Sequence, residues 1–132
     1  MMDKLPITIL DSIKAVDEKR IDHDLRQSLA RLNRKIVVLD DDPTGVQTVH
    51  GISVYTDWSM DSFRAGFAEA NSLFFILTNS RGLTRAETVQ IHTDIGATLA
   101  AVAAETGKDY ILISRSDSTL RGHFPAETAA LK

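Results

Sequence analysis

Three short polar segments hold the residues best suited to chemistry. Residues 40–50 (DDDPTGVQTVH) open on three adjacent aspartates, Asp40, Asp41 and Asp42. Residues 78–83 (TNSRGL) carry Arg81, and residues 115–124 (RSDSTLRGHF) carry Arg115, Asp117, Ser118, Thr119, Arg121 and His123. Adjacent carboxylates repel one another unless a cation or hydrogen-bond donors compensate. Held in place, they can act as a general base, recognise hydroxyls or ligate Mg²⁺. A solvated turn punctuated by Pro43 and Gly45 would account for the same acids. The arginines are the complement, because each guanidinium offers a planar fork of donors suited to a carboxylate or phosphate. An internal Arg–Asp network would explain the same pattern. Ser118, Thr119 and Gly122 could present hydroxyls and backbone amides to an anion at the start of a following helix. His123 could shuttle a proton or serve as a structural hydrogen-bonding group. His23, His50 and His92 show no metal-ligand spacing, so no metal site is expected.

All three segments follow apolar runs that must position them. Residues 35–40 (KIVVLD) read as a strand covered on both faces, 73–77 (LFFIL) as a further apolar run, 110–114 (YILIS) as another strand and 52–55 (ISVY) as a shorter one. Ser59 or Asp61 can cap a helix through Ala70 that buries Phe63 and Phe67. Thr84 and Glu87 have capping-box spacing, Ile91, Ile95, Leu99 and Val102 form a stripe, and Gly107 ends that helix. Strands alternating with helices predict an α/β fold, a three-layer, mostly parallel sheet with flanking helices. In such sheets ligands bind beyond the carboxyl ends of the strands, where the three polar segments fall. Residues 1–34 read as a helical lead-in, with Ile9, Ile13 and Val16 on one face and Ile21, Leu25, Leu29 and Leu32 on another. Residues 35–132 read as the sheet domain. It is expected to be incomplete, because Pro125 and Glu127 look like the first turn of a helix that has barely begun.

The bulk composition narrows the function classes. The chain has 132 residues, 43% of them hydrophobic, with net charge -3 and no cysteine. There is no basic footprint for nucleic acid and no polybasic membrane patch. Neither a signal-peptide h-region nor an apolar run of ~20 residues occurs, so a cytoplasmic location is expected. Thiolate and disulfide chemistry are excluded for these residues. No GxxxxGK[ST] or GxGxxG motif is present, so any nucleotide site must lie elsewhere.

Two families resemble the chain. Asp40-Asp41-Asp42-Pro43-Thr44 reads as DxDxT after an apolar strand, which resembles the nucleophile motif of haloacid-dehalogenase-type phosphatases. That resemblance implies Asp40 as nucleophile, Asp42 as acid/base and Thr78 as a phosphate ligand. It leaves residues 115–123 without a role, and the later lysine and acidic motif of that family have no convincing counterpart.

The second resemblance covers more of the chain. LDDDPTGVQTVH, FFILTNSRGL and SRSDSTLRGHFP, in this order, resemble the N-terminal domain of the four-carbon acid sugar kinases, also labelled Hrp-dependent type III effectors. Arg115 stands where many members have lysine. The resemblance implies ATP-dependent phosphorylation of the terminal hydroxyl of threonate, erythronate or 3-oxo-tetronate, with ATP and Mg²⁺ held by a C-terminal domain outside this chain. Asp41 and Asp42 are then the catalytic candidates. Arg81, Arg115, Asp117, Ser118, Thr119, Arg121 and His123 are the substrate-binding ones. The partners expected are a small sugar acid and, in the full-length protein, a second copy in a homodimer. A non-catalytic binding or effector module is the remaining alternative.

Overall fold

Strand β1 (Arg34–Asp40) is the centre of a four-stranded sheet in the order β2-β3-β1-β4. The computed structural model describes residues 6–117 and 121–132, so Ser118 and Thr119 lie outside the described residues. β2 (Val54–Tyr55), β3 (Leu73–Leu77) and β4 (Asp109–Arg115) all run parallel to their neighbours. A central parallel strand is covered on both faces, which is why Val37, Val38 and Leu39 form an unbroken buried run. Helices flank the sheet: α2 (Met60–Ala68) joins β2 to β3, α3 (Arg85–Thr106) joins β3 to β4, and α4 (Ala126–Ala129) follows β4. The architecture is α/β.

The core gathers Val37, Leu39, Phe74 and Ile76 from the sheet with Phe63 and Phe67 of α2 and Ile95, Leu99 and Val102 of α3. Phe74 is its hub, meeting the ring edges of Tyr55, Phe63 and Phe67 with centroids 5.8, 6.4 and 6.0 Å away. Gly66 lets α2 approach this closely, since a Cβ there would sit 2.7 Å from the Phe74 ring.

The caps follow local chemistry. Ser59 accepts from the Ser62 amide at 3.2 Å to start α2. Thr84 and Glu87 form the full capping box of α3, and Gly107 closes it at φ 64°. The buried stripe of α3 runs Thr88, His92, Ile95, Leu99, Val102, so the expected Ile91 is only half-buried and two polar residues take the positions nearest the loops. At the foot of β1, buried Lys35 donates to the carbonyl oxygens of Glu69, at 2.6 Å, and Asn71. Desolvation holds its ammonium below the usual lysine range.

The chain divides into two units, Met1–Leu32 and Asn33–Lys132. In the first, α1 (Glu18–Arg31) is capped by Asp17, whose side chain accepts from the Arg20 amide at 3.0 Å. The residues before it differ from the expected helix. Ile7–Ser12 is a 3-10 turn closed by the Ile13 amide on the Leu10 carbonyl, and Ile9, Ile13 and Val16 are exposed. Six residues after Pro6 with no buried apolar partner cannot offset the cost of nucleating an α-helix.

Candidate functional site at the carboxyl ends of the strands

The register of the sheet assembles the site. Asp40 pairs across to Leu77 of β3 and to Arg115 of β4, so the three polar loops leave the sheet side by side. Two backbone hydrogen bonds stitch them: the Thr78 amide donates to the Asp40 carbonyl at 2.8 Å, and the Asp41 amide to the Arg115 carbonyl at 3.3 Å. The three aspartates then diverge into three environments.

Asp40 has no exposed surface. Its Oδ1 accepts from Arg115 Nη1 at 3.1 Å, while its Oδ2 has no hydrogen-bond partner among the described residues. Burial pushes this carboxyl above the ordinary aspartate range, partly offset by the Asp42 amide and Arg115. Gly45 closes over it: a Cβ at that position would land on the Asp40 carboxyl and the Arg115 guanidinium.

Asp41, 2% exposed, takes the fork of Arg81, with Nε 3.2 Å from Oδ2 and Nη2 2.8 Å from Oδ1. The Asp117 amide adds a third donor at 3.0 Å. Asp42 is shared between Thr44 and the same guanidinium. Its Oδ1 accepts from the Thr44 amide at 2.6 Å and from the Thr44 hydroxyl, and its Oδ2 meets Arg81 Nη1. The Thr44 hydroxyl, then its amide, hold the Asp42 carboxyl below its ordinary range. Carboxyls two residues apart are thus driven in opposite directions, a pattern that separates acid and base roles where it occurs in active sites.

The arginines are therefore engaged with the aspartates. Arg81 bridges Asp41 and Asp42, Arg115 binds Asp40 with its side chain still 48% exposed, and exposed Arg121 lies 3.5 Å from Asp117. His123 sits apart from the carboxylates: its Nε2 donates to the Leu83 carbonyl at 2.9 Å, tying the loop after β4 to the loop after β3.

Two features escape a reading of the sequence. A line of buried polar groups runs inward from the cluster. The Thr78 hydroxyl donates to the Asp40 carbonyl and lies 3.2 Å from the Ser80 hydroxyl, and the Thr88 hydroxyl donates to the Ser80 carbonyl. His92 Nδ1 donates to the Thr88 carbonyl, and its Nε2 lies 3.8 Å from Glu127, whose carboxyl oxygens have no hydrogen-bond partner among the described residues. The second is a cleft of about 460 Å³ on the β2 side of the cluster, lined by Pro43, Thr56, Trp58, Thr78, Asn79 and Ile91 among others. The only available signal for it was that Trp58 is the single tryptophan.

Among the described residues no group of three or more His, Asp or Glu side chains is placed to hold a metal ion. The acids are turned toward arginines instead, so this donor set does not fit Mg²⁺. No described helix is long and apolar enough to cross a membrane.

An α/β domain presenting paired acids and arginines beside a mixed cleft at its strand ends is a small-molecule-binding domain in design. Residues 36–132 match the family described as the sugar-binding N-terminal domain, and the chain belongs to that family, the N-terminal domain of sugar kinase families. No curated protein and no solved structure is similar enough to the chain to match it.

Proposed function

We propose that the chain is the substrate-binding portion of an ATP-dependent kinase that phosphorylates the terminal hydroxyl of a four-carbon sugar acid: threonate, erythronate or 3-oxo-tetronate. The observation carrying this reading is the fixed array of Asp41, Asp42 and Arg81 with half-exposed Arg115 at the carboxyl ends of β1, β3 and β4 in a sugar-binding family. Phosphoryl transfer demands mainly positioning and charge neutralisation around an oriented hydroxyl. Asp42, partly buried between Thr44 and Arg81 at the mouth of the loop after β1, is the general-base candidate. Asp41, locked by Arg81 and the Asp117 amide, positions Arg81 and the loop after β4. Arg115 and Arg121, the two more exposed guanidiniums, receive the substrate carboxylate. Ser118 and Thr119 remain hydroxyl-binding candidates by resemblance. ATP supplies the transferred phosphoryl group, with Mg²⁺ as its counter-ion, and residues beyond this cluster hold both.

The phosphatase alternative loses its main support here. A nucleophile must reach its substrate, and the side chain of Asp40 is wholly enclosed and bound by Arg115. The test is ADP release by the full-length enzyme with each of the three sugar acids. Turnover of at least one, and none of the matching neutral polyol, is expected. Phosphatase activity without ATP would overturn the reading.

A further inference from the structure

Glu127, in the first turn of α4, is wholly enclosed, and neither of its carboxyl oxygens has a hydrogen-bond partner among the described residues. A buried carboxyl in that position is costly unless a proton or a cation answers it. His92 of α3, 1% exposed, stands beside it, with Nε2 3.8 Å from Glu127 Oε2. The ring's other bond fixes what it can offer. A carbonyl oxygen only accepts, so Nδ1, 2.8 Å from the Thr88 carbonyl, carries a hydrogen. Without a further proton, Nε2 is then a lone pair beside an acid that also lacks a donor. One proton between the two atoms removes both deficits, and an approach of about 1 Å makes the contact a hydrogen bond.

The pair lies between two loops of the charged cluster. On one side, the Thr88 hydroxyl donates to the carbonyl of Ser80, the neighbour of Arg81. On the other, the amides of Ala126 and Glu127 donate to the His123 carbonyl at 2.7 and 3.4 Å, closing the first turn of α4 on the loop that carries Arg121. Both paths run through backbone carbonyls, so they transmit position and no proton.

We propose that His92 and Glu127 hold one proton between Nε2 and Oε2 and, through that bond, position the loop after β4. They are positioning residues, since neither bonds a member of the charged cluster among the described residues. The consequence for catalysis rests on the sugar-acid reading, in which Arg115 and Arg121 of that loop receive the substrate carboxylate.

Two variants separate shape from bonding. Glu127→Gln keeps the shape and offers Nε2 an amide donor, while Glu127→Leu fills the space and offers none. Nitrogen NMR of the His92 ring in the 132-residue chain should show hydrogen on Nδ1 in all three proteins. Nε2 should move to the position of a bare acceptor in Glu127→Leu alone. The backbone amides of Arg121 and His123 should shift in Glu127→Leu and stay in place in Glu127→Gln. In the full-length enzyme, Glu127→Leu should raise the KM for the sugar acid about five- to tenfold with the KM for ATP unchanged, and Glu127→Gln should restore it. A merely structural loss would lower the active fraction, and so kcat, while leaving both KM values alone. A wild-type Nε2 already at the bare-acceptor position overturns the shared proton, whether or not Glu127→Leu folds. Unmoved loop amides with an unmoved sugar-acid KM overturn the positioning role. A wild type that turns over no sugar acid with ATP overturns the sugar-acid reading alone, and the ring and amide spectra still decide the pair.

Discussion

Arg81 and Asp41 face each other through two parallel hydrogen bonds, 2.8 and 3.2 Å long, although forty residues separate them. This fork joins the loop after β1 to the loop after β3, and its third nitrogen reaches Asp42. Removing one member of a pair so enclosed costs far more than the pair contributes as a whole, because the other charge is left without a partner.

Arg81→Ala should therefore destabilise the domain markedly, leaving the enclosed Asp41 without its cation and with only the Asp117 amide as donor. Adding Asp41→Leu to that variant should recover much of the loss. Urea unfolding of the two single variants and the double variant measures the coupling. Additive losses would show that the pair is not a unit.

Asp40 and Asp42 should titrate on opposite sides of 3.8, Asp40 above and Asp42 below. For Asp40, whose folded value is raised, the stabilising contribution is complete below 3.8 and disappears as pH rises through that folded value. For Asp42, whose folded value is depressed, the contribution is present above 3.8 and is lost as pH falls through the folded value. Carboxyl NMR titration of the wild type, with Asp40→Asn and Asp42→Asn to assign the signals, checks both signs.

Gly45→Ala should destabilise by about 1–3 kcal/mol, for steric reasons, because the added methyl enters the space of the Asp40 carboxyl and Arg115. Pairing it with Asp40→Ala should relieve much of the clash. Thermal melts of the single and double variants provide the comparison.

In the full-length enzyme Asp42→Asn should lower kcat by about 10²–10⁴, the usual loss when a general base is removed. Its melting temperature should fall only modestly, since Asn keeps a side-chain oxygen for the Thr44 donors and Arg81 keeps Asp41. Near-normal turnover would assign Asp42 to loop structure through Thr44 alone.

The strands and helices were legible because their apolar periods and caps are local. Leu73–Leu77 and the Thr84–Glu87 box can be read within a few residues of themselves. The convergence of the three loops was legible for a related reason: polar segments following apolar parallel strands come together once the sheet forms. Which arginine meets which aspartate was not. Asp40 and Arg115 are 75 positions apart, and their meeting depends on the β1–β4 register, which no local pattern encodes. Thr88 and His92 were hidden too, since polar residues inside a helical stripe look like interruptions until their hydrogen bonds to Ser80 and the preceding turn are seen. In the lead-in, Glu18–Arg31 is the helix its spacing suggests, while Ile7–Ser12 forms a 3-10 turn instead of the expected α-helix.

Lys35 and Asp40 bracket β1, one buried beside the carbonyls of residues 69 and 71, the other beside Arg115. Between them the strand is a run of aliphatic side chains that differ little in shape, and on hydrophobicity alone several alignments would score alike. A slip of one residue turns every side chain to the opposite face of a sheet. Here it would drag an ammonium away from its two carbonyl acceptors and strip a carboxyl of its guanidinium at the same moment. The strand thus carries an alignment key at each end, and the pocket-forming loops inherit their placement from it.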